Sequence, residues 1–292
     1  MNGNLARQEL GSMLPVLSLR SVGAIKGGST VLDLCASPGS KTLQALEIVG
    51  VGSSGKRGGV IANDVHPGRL DTLREAVLRS GLPESLTSRI AYTNHDASVF
   101  PAPKSGKLFG AIICDVPCSG DGTVRKDKHI LPLWTPSTGH ALHGLQLKIL
   151  SRALALVKVG GVVCYSTCSL NPIEDEAVVS AALGGGDDDS VFELVDWPRT
   201  ALPGFVRRPG VAHWNVAFYD QNDVENDEDD FGSLSFFDCR ETALAAGNED
   251  AESSFWPDST QSKRLRLDRC TRLFPQDQDT GGFFLALIKK LH

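Results

Sequence analysis

Short apolar runs alternate with amphipathic segments from Thr30 to about Trp197, and this alternation limits the possible folds more than any other feature. It is typical of repeated βα units, in which crossover helices connect the parallel strands of one sheet. The apolar runs predict strands at residues 30–36, 59–65, 89–94, 110–116, 161–168, 192–197 and, near the carboxyl terminus, 280–290. We therefore expect an α/β fold with helices on both faces of a mostly parallel sheet.

The charge of the chain is unevenly distributed. The net charge is -6, but residues 220–262 contain 13 acidic residues and one basic residue, so the remainder carries +6. That balance permits a polyanionic partner without requiring one. Because the acidic stretch has no sustained hydrophobic period, we predict a solvated or disordered insertion there. It would divide the chain into a lead-in (1–29), a core (30–219), the insertion (220–262) and a closing strand region (263–292).

The cysteine count and the hydropathy pattern bear on the compartment. Seven cysteines are scattered along the chain, an odd number that favours reduced thiols over a disulfide framework. No apolar run approaches the roughly 20 residues that a membrane-spanning helix needs. We therefore expect a soluble protein with free thiols, no membrane association and no secretion signal.

The stretch DLCASPGSKT (33–42) follows the first predicted strand, where open α/β sheets bind their ligands. Its one glycine, Gly39, lets the backbone approach a ligand at the start of a helix. The stretch matches neither the phosphate-binding pattern GxxxxGK[ST] nor the dinucleotide pattern GxGxxG. A ligand without a pyrophosphate, such as an adenosine that carries an amino acid, fits better.

Two acids follow the next two predicted strands. Asp64 is placed to accept hydrogen bonds from both ribose hydroxyls of such a ligand, and Asp96 is placed to reach an adenine edge. Each acid taken alone is more often a turn or capping residue.

The fourth and fifth strands end in DVPC (115–118) and STC (166–168), so Cys118 and Cys168 are expected to face one another. Each has a partner four residues upstream, which makes a zinc site an alternative. Cys114 and Cys164 lie inside strands, however, and four extended residues span about 13 Å, too far for one metal. These two are better explained as small core residues.

Together these motifs resemble the Sun-domain RNA (cytosine-5) methyltransferases, within them the tRNA-directed eukaryotic branch. The matching segments, in the family's order, are NLARQELGSMLP (4–15), LDLCASPGSKT (32–42), IANDV (61–65), NHDAS (94–98), DVPCSGDGT (115–123), HGLQLKIL (143–150), YSTCSLNPIEDEAVV (165–179) and RLFPQDQDTGGFFLALIKK (272–290). The resemblance implies a Rossmann-like class I methyltransferase fold, with a mostly parallel seven-stranded sheet and an antiparallel final strand.

The resemblance also implies a cofactor, partners and residue roles. S-adenosylmethionine would be bound by Cys35, Ala36, Ser37, Pro38, Gly39, Ser40, Lys41, Asp64, Asp96 and Asp115. Cys168 would be the nucleophile that adds to carbon 6 of cytosine, Cys118 would assist its release, and Asp115 would hold the base. The partner would be RNA, in particular tRNA, with no metal; we expect a monomer in the nucleus or nucleolus, or alternatively in the cytoplasm.

The resemblance leaves RNA recognition open. Arg125, Lys126 and Lys128 follow the glycine-rich turn, where they would meet an RNA backbone or remain idle on the surface. The family normally carries an amino-terminal RNA-binding region, so we expect a fragment, a divergent gene model, or an enzyme that uses another surface. A non-catalytic RNA-binding or scaffold protein is the alternative function. Ser37 stands where the family usually has alanine, a change expected to leave the loop intact.

Overall fold

The computed structural model describes residues 8–50, 58–184, 191–219, 233–257 and 259–292. Its helices are α1 (Leu10–Ser21), α2 (Ser40–Gly50), α3 (Pro67–Arg79), α4 (Glu84–Thr87), α5 (Ile130–Leu133), α6 (Pro136–Leu156), α7 (Glu176–Gly184), α8 (Arg240–Ala245), α9 (Ser259–Leu265) and α10 (Pro275–Gln278). Its strands are β1 (Thr30–Asp33), β2 (Gly59–Asn63), β3 (Ile90–Thr93), β4 (Phe109–Asp115), β5 (Val157–Thr167), β6 (Phe192–Leu194), β7 (Arg208–Pro209), β8 (Val216–Tyr219), β9 (Leu234–Phe237), β10 (Thr271–Leu273) and β11 (Phe283–Lys290).

The main sheet has the order β3-β2-β1-β4-β5-β11-β10-β7, with β6 paired to β11. Strands β1 to β5 run parallel, and β11 runs antiparallel to both β5 and β6. The fold class predicted from the sequence is confirmed, and each of the seven predicted strands is present. The short strands β7 and β10, which the sequence analysis did not predict, extend the sheet beyond β11.

The central strands are buried on both faces. In β4, Ile112 and Cys114 pack into one apolar cluster, while Ala111 and Ile113 pack into another. Alternate residues of a strand point to opposite faces, so one continuous apolar run fills the cores on both sides of the sheet. This explains why β4 lacks the polar alternation of a half-exposed strand.

Helix α1, which the sequence analysis assigned to a lead-in, packs on the main sheet. Leu14 and Leu19 are fully buried in the same cluster as residues of β4 and β5. Gly11 lies against Phe283 of β11, where an added Cβ atom would come within 3.3 Å of the ring. The first described helix therefore belongs to the core.

The prediction of a solvated or disordered segment at 220–262 is wrong for residues 233–257. There β9 pairs antiparallel with β8, and α8 follows. The aromatic rings of Phe218, Phe255 and Trp256 form a separate cluster against Ile173, and their burial offsets the acidic composition. Residues 220–232 and 258 lie outside the described residues.

The order of the sheet reverses between β1 and β4, which are neighbours although β2 and β3 lie between them in the chain. Loops that leave the carboxyl ends of β1 and β4 diverge, and the crevice between them is where open sheets bind ligands. Among the described residues, no helix is both long and apolar enough to cross a bilayer.

Candidate active site

The carboxyl ends of β1 to β5 lie at one edge of the sheet, and a cavity of about 340 Å³ lies between the loops that follow them. The predicted cofactor residues that line this cavity are Cys35, Ser37, Asp64, Asp96 and Asp115. The others, which form the same loop and the first turn of α2 without lining the cavity, are Ala36, Pro38, Gly39, Ser40 and Lys41. The structure therefore brings the predicted strand ends together around one space.

The loop after β1 is fixed by close packing on α3. Gly39 has a φ of 111°, and an added Cβ atom would lie 2.3 Å from Leu73 Cδ1, so only glycine fits there. The Ser37 hydroxyl donates to the Arg69 carbonyl at 2.8 Å. Ser37 is thus accommodated and adds a tie between the loop and α3.

A buried ion pair joins the first loop to the end of β4. Lys41 Nζ lies 2.6 Å from Asp115 Oδ2, and the Ser166 hydroxyl donates to Asp115 Oδ1 at 2.6 Å. Burial lowers the pKa of Lys41, but attraction to Asp115 outweighs it, and the net shift is upward. Lys41 therefore keeps its positive charge at the edge of the cavity.

The sequence analysis did not predict Asp33, the last residue of β1, as a site residue. Burial raises its pKa to about 7, although the hydrogen bond from Thr42 at 2.6 Å opposes the rise. Asp33 ends β1 and Thr42 lies in α2, so this bond fixes the helix relative to the strand.

Asp64 is buried at the end of β2, where it organises the backbone. Its carboxylate accepts hydrogen bonds from the backbone N–H of Ser37 at 3.3 Å and of His66 at 3.0 Å. Arg69 Nε lies 3.4 Å from the same carboxylate. Asp64 therefore organises a turn and also lines the cavity, and its hydrogen bonds to a ribose stay a prediction.

Asp96 is an exposed capping residue on the cavity wall. It accepts hydrogen bonds from the Ser98 backbone N–H and hydroxyl, both at 2.8 Å, and these bonds lower its pKa. Asn63, the last residue of β2, is buried and donates to the carbonyls of Leu34 and His95. Asn63 holds the strand ends in place.

The two predicted thiols face one another, as expected from the sequence. Cys118 Sγ lies 3.3 Å from Cys168 Sγ, a hydrogen-bonding distance for two free thiols. Both side chains are half-buried, whereas Cys114 and Cys164 are fully buried. The structure therefore places one pair of sulfur atoms at the strand ends and the other pair inside the core.

The two paired thiols differ in acidity. The hydrogen bond from Cys118 lowers the pKa of Cys168; burial opposes this shift, and the charge of Lys41 supports it. That same hydrogen bond and burial raise the pKa of Cys118 well above its usual value. Cys168 is thus the more acidic thiol of the pair, and the thiolate is the nucleophilic form of cysteine.

A buried carboxylate, Glu174, locks the two cysteine loops together. It accepts hydrogen bonds from the Ser119 backbone N–H at 2.8 Å and hydroxyl at 2.5 Å, and from the Ser169 hydroxyl at 2.8 Å. Gln146 of α6 donates to the same carboxylate at 3.0 Å. Because Ser119 and Ser169 each follow a cysteine of the pair, Glu174 fixes the separation of the thiols.

The glycine-rich turn supplies a second lock. Asp121 accepts the backbone N–H of Leu170 at 3.0 Å. Gly122 donates its N–H to the Cys168 carbonyl at 3.0 Å, and an added Cβ atom would lie 2.6 Å from that carbonyl oxygen. The turn must therefore carry glycine at this position to reach the loop of Cys168.

Three consecutive acids, Glu174, Asp175 and Glu176, lie just before and at the start of α7. Helix α7 begins at Glu176, and Glu174, Asp175 and Glu176 are all fully buried. Arg272 pairs with Glu176 through its Nε at 2.7 Å and through a second guanidinium contact, and donates to the Leu170 carbonyl at 2.8 Å. Sequence reasoning missed these contacts, and the signal that could have pointed to them was the run of three acids.

Two of the basic residues proposed to contact RNA are already engaged. Arg125 pairs with Asp279 and donates to the Pro275 carbonyl at 3.3 Å. Lys126 pairs with Glu9. Both side chains link the glycine-rich turn to neighbouring segments, and their pairing with carboxylates weakens their attraction for a phosphate.

The zinc alternative lacks a ligand set in the part of the chain that the structure describes, where no three His, Cys, Asp or Glu side chains group around a possible metal position. Cys114 and Cys164 pack into clusters on opposite faces of the sheet. Each is thereby separated from the thiol pair at the strand ends.

The parallel strands β1 to β5, the antiparallel β11 and a site at the carboxyl ends of the parallel strands are those of the class I methyltransferase fold. A "Methyltransferase Homolog Protein" from Pyrococcus horikoshii, of known crystal structure, has 25% sequence identity and a TM-score of 0.61, covering 97% of this chain and 67% of that one. The family model described as "16S rRNA methyltransferase RsmB/F" matches residues 22–202. The chain belongs to this family.

Curated relatives carry names from RNA modification. A Saccharomyces cerevisiae "Multisite-specific tRNA:(cytosine-C(5))-methyltransferase" is 39% identical over 99% of this chain and 39% of the relative. A Drosophila melanogaster "tRNA (cytosine(34)-C(5))-methyltransferase" is 36% identical over 99% of this chain and 37% of the relative. The chain therefore spans about two fifths of the length of these relatives.

Proposed function

We propose that this chain catalyses the transfer of a methyl group from S-adenosylmethionine to carbon 5 of cytosine in RNA, with tRNA as the substrate. The observation that carries the proposal is the Cys118–Cys168 pair at 3.3 Å, beside the Lys41–Asp115 ion pair at the end of neighbouring strands. The names of the relatives support the choice of cytosine and of tRNA.

The cavity at the strand ends suits the cofactor. It combines apolar walls, such as Leu34 and Ile149, with the carboxylates of Asp64 and Asp96. Carboxylates there suit ribose hydroxyls and an exocyclic amine, and the absence of a phosphate-binding pattern fits a ligand without phosphates. When bound, the cofactor supplies an activated methyl group.

Cys168 performs the first chemical step. Carbon 5 of cytosine is a weak nucleophile, so the Cys168 thiolate adds to carbon 6, forming a C–S bond and moving electron density toward carbon 5. The lowered pKa of Cys168 provides the thiolate for this attack. Asp115 accepts a hydrogen bond from the exocyclic amine, which orients the ring over the thiol.

Cys118 acts later, when the bond between Cys168 and carbon 6 breaks. After carbon 5 has taken the methyl group, a base accepts its proton, the electron pair of that C–H bond re-forms the C5–C6 double bond, and the C–S bond breaks. The leaving group is the Cys168 thiolate, and the Cys118 thiol stabilises it by donating a hydrogen bond. Without that donor, the covalent adduct is favoured over free enzyme and product.

The target cytosine must leave its base stack to reach these half-buried thiols. Enzymes that act on a base flip it into a pocket, and unpaired bases in loops are the least costly to extrude. We therefore expect single-stranded or loop cytosines as targets.

Methyl transfer tests the proposal directly. The protein is incubated with methyl-labelled S-adenosylmethionine and unmodified tRNA, and nucleosides from the digested RNA are separated by mass spectrometry. Label in 5-methylcytidine is expected, and base-resolution mapping would locate it. A matched transcript made with 5-methylcytidine in place of every cytidine should accept no label. RNA binding without methyl transfer, or label on another atom, would contradict the proposal.

A further inference from the structure

A second cavity, of about 260 Å³, lies beside the cysteine loops and has no role in the function proposed so far. Its lining comes from the glycine-rich turn, the start of α6, the loop after Cys168 and the β8–β9 hairpin. The residues are Asp121, Trp134, Pro136, Leu170, Asn171, Pro172, Ile173, Asn215, Ala217 and Phe236. We call it the hairpin pocket.

Two wall segments of the hairpin pocket closely follow the paired cysteines in the chain. Asp121 lies three residues after Cys118, and Leu170 lies two residues after Cys168. The Asp121 carboxylate accepts the Leu170 backbone N–H at 3.0 Å, so these two wall segments are bonded to one another. The pocket therefore takes part of its wall from the segments that directly follow the two thiols.

Phe236 presents an aromatic ring to this pocket. On the hairpin, Val216 and Phe237 are cross-strand partners on the side that packs into the aromatic cluster. Ala217 and Phe236 are the next partners and lie on the opposite side. The Phe236 side chain remains 62% exposed, because its partner is small and the strand holds the ring away from the core.

Trp134 contributes a second aromatic wall and an unused donor. Its indole N–H is buried and has no hydrogen-bond partner within the described residues. A buried donor of this kind is normally satisfied, since leaving it unpaired is costly. An acceptor on a bound ligand would remove that cost.

The composition of the lining indicates the chemistry of the ligand. Among the described residues it contains two aromatic rings, three apolar side chains, two prolines, two amides and one carboxylate, and no lysine or arginine. Such a lining disfavours a phosphate and suits a flat, neutral ring with polar edges. Proteins bind the unstacked bases of single-stranded RNA by stacking them on aromatic side chains in this way.

We propose that the hairpin pocket binds a nucleobase directly adjacent to the target cytosine, stacked on Phe236. Flipping the target breaks its stacking with that neighbour, and the pocket offers the neighbour a replacement ring. This inference rests on the proposed function, because it takes RNA as the substrate. It assigns the β8–β9 hairpin a part in choosing which cytosines are accepted.

Replacing the exposed ring tests the inference. Phe236→Ala should lower kcat/KM for RNA by roughly 10- to 100-fold, the range typical for loss of one base–aromatic stack. Affinity for S-adenosylmethionine should not change, and Phe236→Tyr should restore activity. The control is Leu234→Ala, which removes a side chain that is 41% exposed on the same side of β9 but does not line the pocket.

A binding measurement separates this inference from the proposed function. Short RNAs carry a single cytosine with 2-aminopurine on its 5′ or 3′ side, and quenching of the 2-aminopurine fluorescence is followed on titration with protein. Quenching on one side, weakened by Phe236→Ala and not by Leu234→Ala, supports the pocket even if methyl transfer fails. Methyl transfer with no quenching on either side, or with equal quenching in wild type and Phe236→Ala, overturns the pocket and leaves the proposed function standing.

Discussion

Two pairs of cysteines, one inside strands β4 and β5 and one just beyond their ends, differ in burial and in acidity. Cys114 and Cys164 lie inside β4 and β5, where both are fully buried. Burial raises the pKa of Cys164 to about 12 and that of Cys114 well above its usual value. These thiols stay protonated and act as small apolar side chains.

Cys118 and Cys168 lie four residues after Cys114 and Cys164 in the chain, just beyond the ends of β4 and β5. Beyond the strand ends their side chains are half-buried, and the hydrogen bond between them, helped by Lys41, lowers the pKa of Cys168. The comparison shows that position relative to the end of the strand decides whether a thiol is enclosed in the core or lies half-buried at the site. Four predictions test it, in order of decreasing effect.

The largest effect is expected for Cys168→Ala. Loss of the nucleophile should reduce methyl transfer to tRNA at least about 1000-fold. Cys164→Ala, inside β5, is the control and should keep activity within about threefold, because a moderate loss of stability leaves the enzyme folded. Turnover of S-adenosylmethionine measures both. Substantial activity in Cys168→Ala would remove the nucleophile assignment.

Cys118→Ala should trap the reaction midway. Without the donor that stabilises the departing thiolate, a covalent protein–RNA adduct should accumulate, and turnover should fall about 100-fold. The adduct is visible as a shifted band on a denaturing gel that nuclease treatment removes. Cys114→Ala should give no such band. Normal turnover without an adduct in Cys118→Ala would leave Cys118 as a packing residue.

Lys41→Met should change the pH at which Cys168 titrates. The hydrogen bond from Cys118 is the main cause of the lowered pKa of Cys168, and the Lys41 charge adds to it against burial and the charge of Asp115. Removing the Lys41 charge should raise the pKa of Cys168. At a constant pH below that pKa, each unit by which the pKa rises should slow alkylation of Cys168 about tenfold, because the thiolate fraction falls by that factor. Iodoacetamide labelling as a function of pH, mapped by peptide mass spectrometry, measures this. Exposed Lys158, at the other end of β5, provides the control Lys158→Met; identical profiles would exclude Lys41 as a cause.

The smallest effect on catalysis is expected for the interior pair. Cys164→Ala leaves a small cavity and should lower the free energy of unfolding by about 1 kcal/mol, measured by urea denaturation. Its alkylation by iodoacetamide in the native wild-type protein should be negligible beside that of Cys168. Rapid native-state labelling of Cys164 would show that burial does not separate the two pairs.

Much of the fold follows from local patterns that the sequence displays. The apolar run at 110–116 predicted β4 because a strand buried on both faces is continuously apolar. The prediction that Cys118 and Cys168 meet followed from parallel geometry, since neighbouring strands end at the same edge. The thiol distance of 3.3 Å confirms that juxtaposition.

Composition misled where a few large side chains outweighed many small charges. Residues 233–257 are acidic, yet Phe237, Phe255 and Trp256 pack with Phe218 and order the hairpin. Burial of aromatic area is worth several times the cost of exposed acids that remain hydrated. The signal was present in these rings, but an average over the stretch concealed it.

The sequence by itself determined where the seven predicted strands lie along the chain and which residues follow each one, because both depend on local hydrophobic periodicity. Only the tertiary structure decided which of the two thiols has the lower pKa, which acidic residues are buried and which basic residues are already paired. The Glu174 lock joins residues 55 positions apart, and the Arg272–Glu176 pair joins residues 96 positions apart. Such contacts depend on how distant segments pack, and the electrostatics of the site arise from that packing.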